Sequence, residues 1–232
     1  MNNSDLPIRL GFLIGTHTAT WVEESQRARW HPDAWKRHWA KNGLPCSHVL
    51  DELEAEYNSH GTIRRKFILD TYQNRPATEL FVATMAWGTG TDNRGPAKAG
   101  GILAQPQASA KIEDTVAVVR QQGAAAAYRA HFARNKLENL GVAFVTKLLY
   151  FAGYRSPHRP RPLIYDRLVA DAVARIPSAP LLPSSPESLM TPRYQLYCAW
   201  AEDLAEEYQT QPAVIEWSLL TLGRLIREEL RT

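Results

Sequence analysis

A chain of 232 residues, 44% apolar and 22% charged, has ordinary globular composition and buries enough surface to need no disulfide or metal. Its two cysteines, Cys46 and Cys198, lack metal-ligand spacing and suit a reducing compartment, so a cytoplasmic protein without cofactor or metal is expected. No uncharged apolar run reaches the roughly 18 residues of a membrane span, and the N-terminus, MNNSDLPIRL, lacks the basic stretch and apolar core of a secretory leader.

The formal net charge of +3 hides an uneven distribution. Residues 1–116 carry 13 basic and 13 acidic residues, and 166–186 carry two of each. Residues 117–165 carry eight basic residues against one acid, Glu138, whereas 187–232 carry four against eight. A basic block in mid-chain suits a polyanionic partner, because each neutralised phosphate releases counterions. The same block could instead be solvated surface, balanced in space by the acidic C-terminal segment.

Ala, Leu, Glu, Arg and Gln are abundant and few stretches alternate apolar and polar residues, so an all-α protein is expected. Residues 5–20, β-branched and punctuated by glycine, read as loop or a short strand. Pro32 opens a helix that Asn42 and Gly43 end, and Ser47 to Tyr57 reads as the next. Thr78 is the expected N-cap of a buried helix through Leu80, Phe81, Ala83, Thr84 and Trp87, stopping at Gly88, with a loop over 88–96. Residues 112–134 read as amphipathic helix broken at Gly123, and Ala143 to Ala152 as an apolar helix closed by Gly153. The Pro/Arg segment 155–162 cannot be helical throughout. Helix is expected again from Asp166 to Ile176. Five prolines and four serines in 177–192 mark a linker or an ordered surface loop, the best internal boundary. Two helices follow, over Tyr194–Tyr208 and Pro212–Leu230.

Three segments carry candidate chemistry: ELFVATMAWGTGTDNRGPAKA (79–99), LENLGVAFVTKLLYFAGY (137–154) and PLIYDRLVADAV (162–173). In the second, Leu137, Asn139, Leu140 and Gly141 form a tight turn into a helix whose N-terminal backbone N–H groups, including those of Val142 and Ala143, could grip a phosphate. Glycine at 141 permits close backbone approach and positive φ; Asn139 is among the few other residue types that tolerate it. In the third, Asp166 opens a helix, where a plain N-cap is the structural alternative.

These segments resemble, in order, those of the helix-hairpin-helix DNA glycosylases, and are most similar to prokaryotic 8-oxoguanine DNA glycosylase-like proteins. They cover 51 of the 232 residues. Asn139 stands where the family's first hairpin glycine stands, and Glu138 replaces its proline. The resemblance implies a two-lobed, all-α architecture spanning residues 1–232, with a motif-bearing core over 79–176 and C-terminal helices over 193–232. It also implies a monomer that flips a modified base out of double-stranded DNA and cleaves its N-glycosidic bond, leaving an abasic site, with an 8-oxoguanine-like lesion as substrate. Asp166 is then the carboxylate that stabilises the oxocarbenium-like sugar or orients water. Bifunctional members carry a lysine two residues after the hairpin glycine, where this chain has Ala143, so a monofunctional enzyme is expected. Lys147, one turn later on the same face, is either a displaced nucleophile or a cation for phosphate or solvent.

By resemblance, Trp87, Thr89 or Asn93 fills the gap left by the extruded base, and Trp217 stacks on it; core packing is the alternative for both tryptophans. Arg155, Arg159, Arg161 and Arg167 are placed against the DNA backbone. Two further readings of the same residues are an antiphage glycosylase that excises a bulky hypermodified base, and a non-catalytic DNA-binding protein with a glycosylase-like fold.

Overall fold

The computed structural model describes residues 5–231. Its first residues depart from expectation. Residues 5–20 are not loop or strand: they build α1 (Leu6–Thr16) and enter α2 (Ala19–Ser25). Leu6, Leu10 and Ile14 recur every fourth residue and are buried, so one apolar stripe repays helix formation despite weak local propensity. The Thr18 hydroxyl caps α2 by accepting from the Trp21 N–H at 3.2 Å. A two-residue ribbon follows, β1 (Arg27–Ala28) antiparallel to β2 (Ile63–Arg64), with Arg27 opposite Arg64 and Ala28 opposite Ile63. Between them lie α3 (Pro32–Asn42), closed as expected by left-handed Gly43, and α4 (Ser47–His60).

Then come α5 (Arg65–Tyr72) and α6 (Ala77–Thr89). Pro76, not Thr78, occupies the cap of α6, and Gly88 lies inside the helix. The expected loop over 88–96 shrinks, because α7 (Gly95–Leu103) starts at Gly95 with Pro96 in its first turn. Gly123, at φ +85°, separates α8 (Ala108–Gln122) from α9 (Ala124–Ala133). The apolar helix is α10 (Val142–Gly153), and the helix at Asp166 is the short α11 (Arg167–Val173). Residues 177–192 form an ordered loop with buried anchors. Leu182, Pro186 and Leu189 are buried, and the Tyr165 and Tyr128 hydroxyls donate to the Pro183 and Leu189 carbonyls at 2.7 Å. Two long helices, α12 (Thr191–Glu207) and α13 (Pro212–Glu229), end the chain.

The helices form two groups. One surrounds α10, which packs on α5, α6, α8 and α9; the other surrounds α13, which packs on α1, α2, α11 and α12. Small residues set the closest crossings. A Cβ at Gly153 would meet Val119 Cγ2 at 2.6 Å, where α10 crosses α8. A Cβ at Gly223 would lie 2.1 Å from the Leu168 carbonyl oxygen, so α11 can sit this close to α13 only over glycine. Among the described residues no helix is long and apolar enough to cross a membrane.

The groups are joined by a buried ion pair. Arg65 of α5 reaches Glu216 of α13 at 2.8 and 3.1 Å, with both side chains almost wholly excluded from solvent. The guanidinium also donates to the Gln26 side chain and lies 3.7 Å from the centre of the Tyr150 ring. Charges taken this far from water persist only when paired and hydrogen-bonded, as the two terminal nitrogens of Arg65 are between them with Glu216 and Gln26.

Candidate functional site

The turn between α9 and α10 is a hairpin held on both faces. Leu137 and Leu140 point into the core, and the Leu140 N–H donates to the Leu137 carbonyl at 3.3 Å. Asn139 is exposed and left-handed, φ +64°. Gly141 does not need positive φ, contrary to expectation: at φ −78° and ψ 172° it is an extended N-cap. What glycine leaves there is space, since a Cβ at 141 would meet nothing within 4 Å. The first N–H groups of α10, at Val142 and Ala143, open beside that clear surface.

Three residues brace the hairpin. Gln105 takes the Glu138 N–H at 2.8 Å and donates to the Glu138 carbonyl at 2.9 Å. Lys111 donates to the Lys136 carbonyl at 3.3 Å. His131, 1% exposed, hydrogen-bonds the Leu140 backbone; burial pushes its pKa down to about 4, with Lys111 and Lys136 adding to the fall.

Behind the hairpin the structure brings together the two residues expected to react. Lys147 Nζ lies 3.1 Å from Asp166 Oδ2. The other carboxylate oxygen caps α11, accepting from Leu168 N at 3.1 Å and Val169 N at 3.3 Å. The cap and the charged site are therefore the same residue. Burial alone would push the Asp166 carboxyl up, but the Lys147 ammonium and the two backbone N–H groups outweigh it, holding the carboxyl below its ordinary range. Lys147 reaches this point from within an apolar helix because Gly88 of α6 makes room. A Cβ at 88 would sit 3.1 Å from Lys147 Cδ and 3.0 Å from the Phe144 ring.

The segment leading into Asp166 is extended and buried, and side chains take the place of a sheet in satisfying its backbone. The N–H of Arg161 donates to Glu202 at 2.9 Å, that of Ile164 to Glu216 at 3.1 Å and that of Tyr165 to the Thr146 hydroxyl at 3.1 Å. The hydroxyls of Tyr194 and Tyr197 donate to the carbonyls of Leu163 and Ile164 at 3.0 and 3.1 Å. Thr146 is the neighbour of Lys147, so α10 positions both the lysine and the approach to its partner.

Other expected residues fall elsewhere. Trp87 is buried edge-on against Phe151, with 5.2 Å between ring centres, the core-packing alternative given for it. Thr89 bonds back to the Met85 carbonyl at 2.9 Å and abuts Gly95. Asn93 is exposed on the loop before α7 and lines a small concavity with His31 and Arg37. Trp217 packs edge-on against His17 and Trp21, at 4.6 and 5.0 Å between ring centres.

The arginines proposed for the DNA backbone are engaged with acids. Arg155 pairs with Asp70 at 2.7 Å and Glu23 at 3.0 Å. Arg159 and Arg161 lie 3.8 and 3.9 Å from Glu202, and Arg167 lies 3.3 Å from Asp171. Glu202 belongs to the acidic C-terminal segment, so that segment neutralises the Pro/Arg loop and is not remote from it. Among the described residues Lys98, Lys111 and Lys136 form no ion pair; two of them flank the hairpin, and Lys98 shares the Phe144 ring with Lys147. Sequence reasoning missed these lysines, because Lys98 and Lys111 lie outside the basic block, and missed Thr146, Glu216 and Gly88, whose roles depend on long-range contacts.

No curated protein and no solved structure matches the chain. The sequence model of the family described as "Putative 8-oxoguanine DNA glycosylase OGG-like protein" matches residues 23–220, which hold the hairpin, Lys147, Asp166 and Glu216; the chain belongs to that family.

Proposed function

We propose that the protein is a DNA glycosylase that extrudes a modified base from duplex DNA and cleaves its N-glycosidic bond at the Lys147–Asp166 pair, leaving an abasic site. The observation that carries this reading is the 3.1 Å contact between an almost buried ammonium and a carboxylate fixed at a helix mouth, directly behind an open hairpin. As the glycosidic bond breaks, its electron pair leaves with the base, and positive charge develops on the sugar. The ionised Asp166 stabilises that charge, water adds at C1′, and the proton that water loses passes to solvent. Lys147 holds the carboxylate ionised. The family's description makes oxidised guanine the first base to test.

A second reading has Lys147 itself attack C1′. Its amine must first lose a proton, which a carboxylate held below its ordinary range accepts poorly; its favour rests on the same 3.1 Å placement. Single-turnover assays on duplexes carrying oxidised, alkylated, deaminated and glucosylated bases separate these readings. Asp166→Asn is expected to slow excision by about 10²–10³-fold, the size of one lost electrostatic group, while duplex binding persists. Borohydride is expected to trap no adduct; a trapped adduct that Lys147→Met abolishes would establish the amine as nucleophile. Excision that survives Asp166→Asn unchanged would remove the pair from the reaction.

A further inference from the structure

The reacting pair has a third charged neighbour. Lys98, half-buried on α7, holds its ammonium 4.2 Å from the centre of the Phe144 ring, and Lys147 Nζ lies 5.8 Å from the same ring. Phe144 stands in the first turn of α10, so its ring brings Lys98 to the start of the helix that carries Lys147. Burial pushes its pKa down; the Asp92 carboxylate opposes that fall, and Arg94 and Lys147 each add a smaller push downward. A partly desolvated ammonium beside a second ammonium, with no carboxylate paired to it among the described residues, is unfavourable in the free protein. The ring face offsets only part of that cost. An anion entering the space would be held by both cations, and a lysine, a compact point charge on a flexible stem, suits a phosphate.

We propose that Lys98 binds the DNA phosphate flanking the nucleotide extruded to Asp166, and so positions that nucleotide's sugar against the carboxylate. Resting on the reading of Lys147–Asp166 as the reacting pair, this makes Lys98 a positioning residue. The test uses the full chain and two probes: a duplex with a tetrahydrofuran abasic analogue and a matched unmodified duplex. Affinities are measured across 50–200 mM salt. The wild type is expected to prefer the analogue. Lys98→Met keeps the apolar stem over Phe144 and removes the charge; it is expected to weaken the analogue complex several-fold and to flatten the logarithmic salt slope by about 0.9, the value of one phosphate contact. Lys98→Gln serves as a second neutral variant, and Lys98→Arg is expected to restore the slope. A methylphosphonate at the flanking position, tried on the 5′ and 3′ sides, should reproduce the loss in the wild type at one side and cost Lys98→Met nothing more. If the neutral variants match the wild type in slope and preference, Lys98 holds no phosphate, although the reacting pair stands. If the wild type itself shows no preference for the analogue, the reading of the pair falls, and this inference with it.

Discussion

Asp166 divides its two oxygens between structure and charge: one closes the first turn of α11 and the other faces Lys147. With the folded carboxyl held below its ordinary range, the contribution of these contacts to stability is complete above the unfolded value of about 3.9 and is lost as the pH falls through the lower folded value. The group is therefore ionised throughout the neutral range, as an electrostatic stabiliser must be. Its position depends on a residue that touches neither oxygen. The Thr146 hydroxyl accepts the N–H of Tyr165, directly before Asp166, at 3.1 Å. Thr146→Val has nearly the same shape and leaves that buried N–H without an acceptor, which costs about 1–3 kcal/mol. It is expected to lower the thermal midpoint and to slow single-turnover excision, with little change in duplex affinity. Thr146→Ser, which keeps the acceptor, should recover both. An equal loss of affinity in the valine variant would mean that the hairpin, and not the carboxylate, had moved.

At the scale of elements, the hairpin depends on a histidine that must stay neutral. His131 has an ordinary value of 6.5 in the unfolded chain and about 4 in the fold, so between these limits the unfolded chain binds more protons. Stability therefore falls as the pH drops from about 6.5 to about 4, by roughly 3 kcal/mol in all at 1.36 kcal/mol per unit. Because the ring bonds the Leu140 backbone, the loss should show first at the hairpin. Amide exchange over 137–145 is expected to accelerate in mildly acidic buffer before the rest of the fold responds. In His131→Phe, this acid-dependent part should vanish, leaving a smaller constant cost from the lost Leu140 contact. Exchange that accelerates equally in the variant would place the acid sensitivity elsewhere.

The same element shows what local pattern can reveal. Asn139 was legible because few side chains accept φ near +64°, and asparagine before Leu-Gly is one. Asp166 was legible as a cap because aspartate is favoured at the mouth of a helix, and its side chain does close the first turn of α11. The helices α1 and α2 were not, since both pack against α13, some two hundred residues away. The start of α7 was hidden by its glycines, which look like loop until Pro96 is seen in the first helical turn.

At the scale of the whole molecule, counting charges located a basic block but not its exposed part. Of its eight basic residues, Arg134, Arg155, Arg159 and Arg161 lie within 4 Å of carboxylates and Lys147 faces Asp166; all of these carboxylates come from outside the block. Arg120 turns inward to the Gln73 and Arg75 carbonyls. The surplus in sequence is thus largely cancelled in space, and Glu202 of the acidic C-terminal segment does part of the cancelling. Among the described residues, Arg129 and Lys136 of the block form no ion pair, and Lys136 lies with Lys111 of α8 beside the open hairpin. That arrangement yields a contrast which composition could not. On an unmodified duplex, Lys111→Gln and Lys136→Gln are each expected to flatten the slope of log affinity against log salt by about 0.9, because each removes one phosphate contact. Arg159→Gln and Arg161→Gln should leave the slope nearly unchanged, because those guanidinium groups are engaged at Glu202 before DNA arrives. Should the arginine variants flatten the slope while the lysine variants do not, the DNA path would run over the Pro/Arg loop and away from Gly141, and the hairpin would lose its place in the interface.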